Sequence, residues 1–463
     1  MIKQSSILLV SCYELGHQPA GIALPMGLLN RAGYEVETMD VSVEGFDADK
    51  VQRASFVGIS VPMHTALRLG FRIAHAIRKL NSDCHICFYG LYATLNSDYL
   101  LSTVADSVIG GEFEEALIQL VKRVQSEMPI DVREVQTRSN YAKPVLERLN
   151  FAAPARGPLV SLEHYAKLEY NGEERLVGYV EASRGCLHHC THCPIPPVYN
   201  GRFFVVPEQI VIEDIQGLVA SGARHITFGD PDFLNGPTHS LRIARTMHDR
   251  FPELTFDFTA KVEHILKHRS LIPEFAQAGC IFMVSAVESL SDAVLERLEK
   301  GHARGDVVEG LRIVQGAGIA LRPTFVSFTP WTTIEDYIEV LEFVESERLI
   351  DNVDSIQYSI RLLVPPGSLL LTQPDSNLWL GRLVQESFSY EWAHPDPRMD
   401  ELHKRVSVIV EQAAGRDQDA AETFYNVLQL ARAVRGDTSS DRLEAQVYPP
   451  RLRPPRLTEA WFC

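Results

Sequence analysis

Short apolar runs rich in β-branched residues alternate with helical patterns along most of the chain, and this alternation constrains the fold most strongly. Up to about residue 128 the strand-like runs are Ile7–Cys12, Tyr34–Val41, Ser55–Pro62 and His85–Gly90. Continuous apolar strands separated by helices predict an α/β domain whose parallel sheet is covered on both faces, as in Rossmann-like or flavodoxin-like folds. Ligands bind beyond the carboxyl ends of such strands. Those ends are the segments Cys12–Gly21, Ser60–Thr65, Gly90–Thr94 and Gly110–Glu115.

A second series of strands and helices begins near residue 176. Its predicted strands are Leu176–Ser183, His225–Gly229, Thr255–Ala260, Ile281–Val287, Ala320–Phe328 and Ser355–Leu363. About six such units favour a partial (βα)6 TIM-type barrel, whose chemistry lies in the loops that follow the strands. The sequence therefore predicts a βα domain over 1–128, a linker over 129–175, a barrel over 176–365, and a helical extension with a Pro-rich, Cys-ended tail over 366–463.

Charge and hydropathy exclude several classes of protein. The formal net charge of −16 argues against a nucleic-acid-binding surface, which needs a basic footprint, and against anionic membranes. The N-terminal apolar run, Ile7 to Val10, is too short for a signal peptide, and no window approaches the ~18 apolar residues of a membrane span. We therefore expect a cytoplasmic, reducing location, where clustered cysteines indicate metal binding or catalysis more than disulfides.

The segment "GCLHHCTHC" places Cys186, Cys190 and Cys193 directly after the first predicted barrel strand. A disulfide would leave one cysteine over. A structural zinc site needs a fourth ligand, such as His189 or His192, and would make the chain a zinc-stabilised binding module without turnover. A 4Fe–4S cluster held by three thiolates leaves one iron free to bind a ligand. The odd number of cysteines and their position favour the cluster.

This Cx3Cx2C motif resembles that of the radical S-adenosylmethionine (SAM) enzymes, and the resemblance covers about residues 176–365. His192 departs from the aromatic residue that the family often has before its third cysteine. The resemblance implies that the free iron chelates SAM and that reductive cleavage yields methionine and a 5′-deoxyadenosyl radical, which abstracts hydrogen from a substrate. It also implies an electron donor such as flavodoxin or ferredoxin, and a small-molecule or peptide substrate that the sequence does not specify.

The resemblance further implies SAM contacts from residues that follow barrel strands: Gly229, Asp230, Asp232, Lys261, Glu288 and Arg322. The first three lie in "FGDPDF", where the family presents groups to the SAM amino end, although an ordinary polar turn explains them as well. Glu288 ends an apolar strand, so it either contacts the SAM ribose or forms a buried salt bridge, because an unpaired buried carboxylate is costly. The two cations either meet the SAM carboxylate or pair with Glu288 or Asp230.

The N-terminal domain resembles that of cobalamin-binding radical SAM proteins through "SVIGGEFEEAL" and the linker segment "ARGPL". This resemblance implies cobalamin contacts at Gly110, Gly111 and Glu112, and methyl transfer to an unactivated carbon if cobalamin binds. The Asp-x-His-x-x-Gly signature that supplies a histidine to cobalt is missing, and the equivalent loop reads "SCYELGHQPAG". The domain therefore either binds cobalamin without histidine ligation or only packs on the barrel.

The C-terminal segment "RPPRLTEAWFC" resembles the end of a radical SAM selenoprotein family named for a Cys-Sec-Ala-Glu-Pro or Cys-Cys-Ala-Glu-Pro tail. Cys463 stands where that motif would begin. Vicinal Cys and Sec groups suit redox exchange or soft-element binding. The tail thus suggests an alternative function, cobalamin-independent radical chemistry on sulfur, selenium or arsenic. An ordinary chain end with one exposed cysteine is the alternative interpretation, and we favour the family resemblance.

We predict that the natural gene continues past Cys463 through an in-frame UGA codon, giving Sec or Cys and then Ala-Glu-Pro. The nucleotide sequence directly downstream is the measurement. A UAA or UAG codon after Cys463 would end the selenoprotein hypothesis.

Overall fold

A computed structural model describes residues 6–147, 151–416, 418–437 and 453–459. Its first sheet has the strand order β2-β1-β3-β4-β5, and every neighbouring pair is parallel. The strands are β1 Ser6–Ser11, β2 Val36–Asp40, β3 Ala54–Ser60, β4 His85–Tyr89 and β5 Ser107–Ile109. The helices are α1 Ala20–Arg31, α2 Ala48–Arg53, α3 His64–Leu80, α4 Leu91–Leu95, α5 Ser97–Thr103 and α6 Glu114–Gln125. Separate apolar cores cover the two faces of the sheet, as predicted for continuous apolar strands.

The second sheet is a curled half-barrel with the strand order β13-β12-β11-β10-β7-β6-β16. Five of these strands are parallel: β7 Glu173–Val180, β10 His225–Phe228, β11 Thr255–Thr259, β12 Cys280–Glu288 and β13 Ala320–Phe325. β6, Lys167–Tyr170, is antiparallel to β7, and a short ribbon pairs β8 Ser183–Gly185 with β9 Phe203–Val205. The predicted α/β class is confirmed.

Helices surround this sheet and extend it toward the C-terminus. They are α7 Ile195–Tyr199, α8 Glu208–Ala220, α9 Pro237–Arg250, α10 Val262–Lys267, α11 Ile272–Gln277, α12 Asp292–Arg297, α13 Arg304–Gly316, α14 Ile334–Ser346, α15 Pro397–Gly415 and α16 Ala420–Arg435. The last two helices contribute to the barrel core. In the hairpin of β14 Leu380–Val384 and β15 Ser389–Trp392, Phe388 of the turn packs into the N-terminal domain. Within the described ranges, no helix combines the length and apolarity that a membrane crossing requires.

The sixth predicted barrel strand, Ser355–Leu363, is not a strand. A 3-10 turn occupies Ser355–Tyr358, and one isolated parallel bridge joins Phe328 to Arg361. The side chain of Gln357 accepts a hydrogen bond from the backbone N–H of Phe325 at 2.9 Å, which occupies a donor that a sixth strand would have bonded. A side chain thus substitutes for part of the expected ladder.

The described part of the C-terminal segment packs against the barrel. Arg456–Leu457 forms β16, antiparallel to β6, and Arg456 is ion-paired with Glu169 at 2.6 Å. Two residues further on, the buried Glu459 carboxylate lies 3.7 Å from His17. Cys463, predicted as a reactive tail residue, lies outside the described residues.

Arg156 anchors the connecting segment to the barrel through a buried, bidentate ion pair. Its guanidinium donates to both carboxylate oxygens of Asp214, on α8, at 2.6 and 2.8 Å. It also donates to the carbonyl of Tyr179 at 2.7 Å and to the side chain of Gln18 at 3.0 Å. Because one guanidinium reaches the N-terminal domain, β7 and α8, this residue joins three parts of the chain.

We expect Arg156→Ala to lower the free energy of unfolding by about 3–5 kcal/mol, since it leaves the Asp214 carboxylate buried without its partner. Thermal unfolding of the purified chain measures this. The matched control is Arg242→Ala, which breaks an ion pair whose arginine is 57% exposed and should cost less than about 1 kcal/mol. Equal shifts in the two variants would contradict the anchoring role.

Candidate active site

The three motif cysteines lie in the loop between β8 and α7. Cys186 and Cys190 are buried and Cys193 is half-buried. Gly185 begins this loop with φ of +74°, and a Cβ atom there would overlap the carbonyl oxygen of Arg202. That carbonyl accepts from the backbone N–H of Cys186 at 3.1 Å. The loop therefore requires glycine directly before the first cysteine.

The three motif sulfurs are not among the described groups of ligand atoms that gather within 4.8 Å. All seven described cysteines are free. Zn–S bonds of about 2.3 Å would bring the sulfurs of one tetrahedral zinc site within about 3.8 Å of one another. The only described group of metal-type ligand atoms that gather within 4.8 Å is a different one, His188, Asp232 and His264. The described positions of the three cysteines therefore do not form a single zinc site.

Glu288 forms the buried salt bridge that was one of its two predicted roles. Its carboxylate lies 3.2 Å from Lys300 Nζ and 3.3 Å from His192 Nε2. Burial opposes ionisation, but the nearby Lys300 and His192 outweigh it and lower the pKa of Glu288 to about 2. Glu288 also adopts a left-handed φ of +68° beside a register shift in the β12–β13 pairing. Such conformations persist where surrounding contacts hold them, often at active sites.

Asp230 holds the start of the cysteine-bearing segment. Its carboxylate accepts from the backbone N–H of Ala182 at 3.0 Å and from the hydroxyl of Ser183. Burial raises the pKa of Asp230 to about 7. The neighbouring Gly229 lies so close to Tyr179 that a Cβ atom would overlap the phenol, so the position requires glycine.

Asp232 lies at the start of the following turn. One carboxylate oxygen caps the turn by accepting from the backbone N–H of Leu234 at 3.0 Å. The other oxygen faces two imidazoles, His264 at 2.8 Å and His188 at 3.6 Å. The sequence did not suggest this juxtaposition.

The predicted pairings of Lys261 and Arg322 with Glu288 or Asp230 are wrong. Lys261 pairs with Glu263 at 3.3 Å, two residues along the chain. Arg322 pairs with Asp354 at 2.8 Å and donates to the carbonyl of Pro455 at 3.3 Å. Both cations thus pair with carboxylates other than the two predicted ones.

A crevice of about 1080 Å³, including the part that opens to solvent, lies between the N-terminal sheet and the barrel. All four predicted strand-end segments line it, through Glu14, Leu15, Gly21, Ser60, Pro62, Met63, Gly90, Leu91, Gly111 and Phe113. The barrel side contributes Tyr179, Glu181, Ser183, Arg184, Gly185, Ile195, Tyr199, Gly229 and Pro231. The crevice thus borders both the N-terminal strand ends and the segment that leads into the cysteine loop.

A buried guanidinium joins the two sides of the crevice. Arg184, directly before the Gly185–Cys186 pair, is ion-paired with Glu114 and lies 3.3 Å from Glu112 and 3.0 Å from Glu181. The phenol of Tyr199 donates to Glu112 at 2.9 Å. Burial raises the pKa of Glu112 to about 7, against the opposing charge of Arg184.

This cluster changes the role of the predicted cobalamin-contact residues. Glu112 is fully buried and its carboxylate is bonded within the protein, whereas Gly111 lines the crevice. Gly110 packs against Thr94. Sequence analysis missed Arg184 and Glu181, although two charges directly before a buried cysteine loop in "EASRGC" were an available signal.

Residues 180–344 match the family described as Radical SAM superfamily. The chain carries a radical SAM domain. Over 200 residues this radical SAM chain is 29% identical to a tRNA-2-methylthio-N(6)-dimethylallyladenosine synthase from Desulfosudis oleivorans, covering 41% of this chain and 42% of the relative. The chain thus spans about half the length of the curated relatives it matches. The predicted radical SAM domain is confirmed, and the zinc-stabilised binding module is not supported.

Two solved structures share the fold. The cobalamin-dependent S-adenosylmethionine radical enzyme OxsB, with aqua-cobalamin bound, aligns with a TM-score of 0.68 at 18% identity, over 89% of this chain and 68% of that one. The radical SAM methyltransferase TsrM from Kitasatospora setae, with cobalamin and a [4Fe-4S] cluster bound, aligns with a TM-score of 0.60 at 16% identity, over 74% of this chain and 70% of that one. At these identities the likeness establishes the two-domain fold.

We expect Cys190→Ala to lose the iron and sulfide that anaerobic reconstitution introduces, because two thiolates hold a cluster poorly. The absorbance near 400 nm and SAM-dependent 5′-deoxyadenosine formation should fall with it. Cys280→Ala, which removes a buried strand cysteine of the barrel core, is the matched control and should keep both. Full 5′-deoxyadenosine formation by Cys190→Ala would overturn the assignment of the three cysteines.

Proposed function

We propose that this protein is a cobalamin-dependent radical SAM enzyme that methylates an unactivated carbon of a small-molecule or peptide substrate. The observation that carries the proposal is the position of the crevice. Its walls include the strand ends of the N-terminal sheet and residues Ser183 to Gly185, which run directly into Cys186. A cofactor in the crevice would therefore lie next to whatever the cysteine loop holds.

Cys186, Cys190 and Cys193 would hold the 4Fe–4S cluster. Lys300 is buried beside this loop, and its positive charge is close enough to interact with Cys190 and Cys193. Burial alone lowers the pKa of a lysine, but Glu288 and the two cysteines more than offset it and keep Lys300 charged. This cation favours the thiolate forms that bind iron. When bound, the cluster supplies an open iron and the electron for SAM cleavage.

Residues around the loop would position SAM. Gly229 lines the crevice and its backbone packs directly against the phenol of Tyr179, so only glycine fits at this position. Asp230 and Glu288 keep their neighbouring backbone segments fixed through buried hydrogen bonds and the Lys300 ion pair. These residues would orient SAM rather than react with it.

The crevice would hold cobalamin, which when bound supplies a transferable methyl group. Strand ends of a parallel sheet are the usual ligand position in such a fold, and the likeness to cobalamin-bound structures supports the same occupant here. The described residues lining the crevice include no histidine. His17, the nearest candidate in sequence, instead stacks on Tyr179 and lies near Glu459. We therefore propose binding without histidine ligation to cobalt.

Filling the crevice should abolish cobalamin binding. Met63 lines it at the start of α3, and Met63→Trp places an indole in the space that the corrin ring would take. We expect the affinity for hydroxocobalamin, measured by equilibrium dialysis, to fall at least about tenfold, or about 1.4 kcal/mol.

Met128→Trp is the matched control, because Met128 is exposed and remote from the crevice lining. It should bind hydroxocobalamin as the unaltered protein does. If the folded, unaltered protein retained no hydroxocobalamin, the N-terminal domain would have only a packing role. SAM cleavage without cobalamin would then remain the activity to assign.

A further inference from the structure

We propose that His188, Asp232 and His264 form a zinc site separate from the three cluster cysteines. The ligand atoms are His188 Nε2, one carboxylate oxygen of Asp232, and His264 Nδ1, and all lie within 4.8 Å of one another. The proposal does not depend on cobalamin binding or on methyl transfer.

The distances suit one first-row metal ion. Asp232 Oδ2 is 2.8 Å from His264 Nδ1 and 3.6 Å from His188 Nε2. A metal about 2.0–2.2 Å from each ligand in tetrahedral geometry separates its ligands by about 3.3–3.6 Å. Small side-chain rotations would therefore place all three atoms around one ion.

The same three atoms are buried and form no hydrogen bond of acceptable geometry, although Asp232 Oδ2 and His264 Nδ1 lie 2.8 Å apart. Buried polar atoms nearly always have a hydrogen-bond partner. Three neighbouring buried atoms without a well-formed hydrogen bond therefore require an explanation. Asp232 is 1% exposed and His264 is 5% exposed, which makes the shortfall costly. A shared metal ion would satisfy all three atoms at once.

The surroundings hold the ligands in place. The second oxygen of Asp232 accepts from the backbone N–H of Leu234, which points the free oxygen at the imidazoles. Glu263 lies 3.6 Å from the other ring nitrogen of His188. A carboxylate on the far side of a ligating imidazole is the usual arrangement for orienting metal-bound histidines. Lys261, paired with Glu263, keeps that carboxylate in position.

The ligand set selects the metal. Two imidazoles and one carboxylate suit zinc or iron(II) and disfavour magnesium and calcium, which prefer oxygen ligands. Zinc lies above iron(II) in general affinity order, so zinc is the expected occupant. Three protein ligands leave a coordination position open for water or a substrate group. The ion would also tie the cysteine loop, through His188, to the turn after β10 and to α10.

Metal analysis of the full-length, cluster-reconstituted protein tests the site. After equilibration with micromolar zinc and desalting, we expect about one zinc per chain in the unaltered protein. The zinc content of Asp232→Asn and of His264→Ala should be at least about tenfold lower. Iron content should stay unchanged, which shows that the cysteine loop remains folded. His268→Ala is the matched control, because His268 contacts the ring of His264 without belonging to the triad.

X-ray absorption at the zinc edge decides the case even if a variant fails to fold. In the unaltered protein we expect a first shell of nitrogen and oxygen only. Zinc–sulfur scattering near about 2.3 Å would place the metal on the cysteines and overturn the proposal. Folded protein that retains no zinc, or equal zinc in the unaltered protein and His264→Ala, would overturn it as well.

Discussion

The contact between Arg184 and three carboxylates is the constraint on which the rest of the site depends. Glu112 and Glu114 come from the end of the N-terminal sheet, whereas Glu181 and Arg184 flank the start of β8 in the barrel. Removing one partner of a buried ionic group leaves uncompensated charge and typically costs several kcal/mol. The two domains are therefore fixed at the point where the cysteine loop begins.

This fixed junction gives the crevice its position. Ser183, Arg184 and Gly185 form part of its wall, and the next residue is the first motif cysteine. Asp230 holds the other end of the same short segment through Ala182 and Ser183. One stretch of backbone thus borders the crevice and leads into the cysteine loop. Because the crevice and the cysteine loop share this backbone, we expect binding at one to be coupled to binding at the other.

Local patterns were enough to predict the strand-rich regions and the cysteine loop. Continuous apolar runs identified four of the five strands of the first sheet and the five parallel strands of the half-barrel, and spacing identified Cys186, Cys190 and Cys193. Partners of polar residues were not predictable, because they depend on how the elements pack. Arg322 pairs with Asp354, 32 residues along the chain, and the side chain of Gln357 replaces part of an expected strand ladder.

The same limit explains the missed clusters. His188, Asp232 and His264 lie on a loop, a turn and a helix, and no spacing rule connects them. The turn motif predicted a cofactor contact for Glu112, whereas its carboxylate is ion-paired with Arg184. Local sequence patterns predict helices and strands, whereas ion pairs depend on how those helices and strands pack.

The central claim is that two cofactor sites meet at this junction, and anomalous diffraction tests it most directly. Crystals of the anaerobically reconstituted protein with hydroxocobalamin would be measured at the iron and cobalt absorption edges. The account predicts an iron peak enclosed by Cys186, Cys190 and Cys193, and a cobalt peak in the crevice between Met63 and Tyr199. A cobalt peak outside the crevice, or no iron peak at the cysteines, would contradict it.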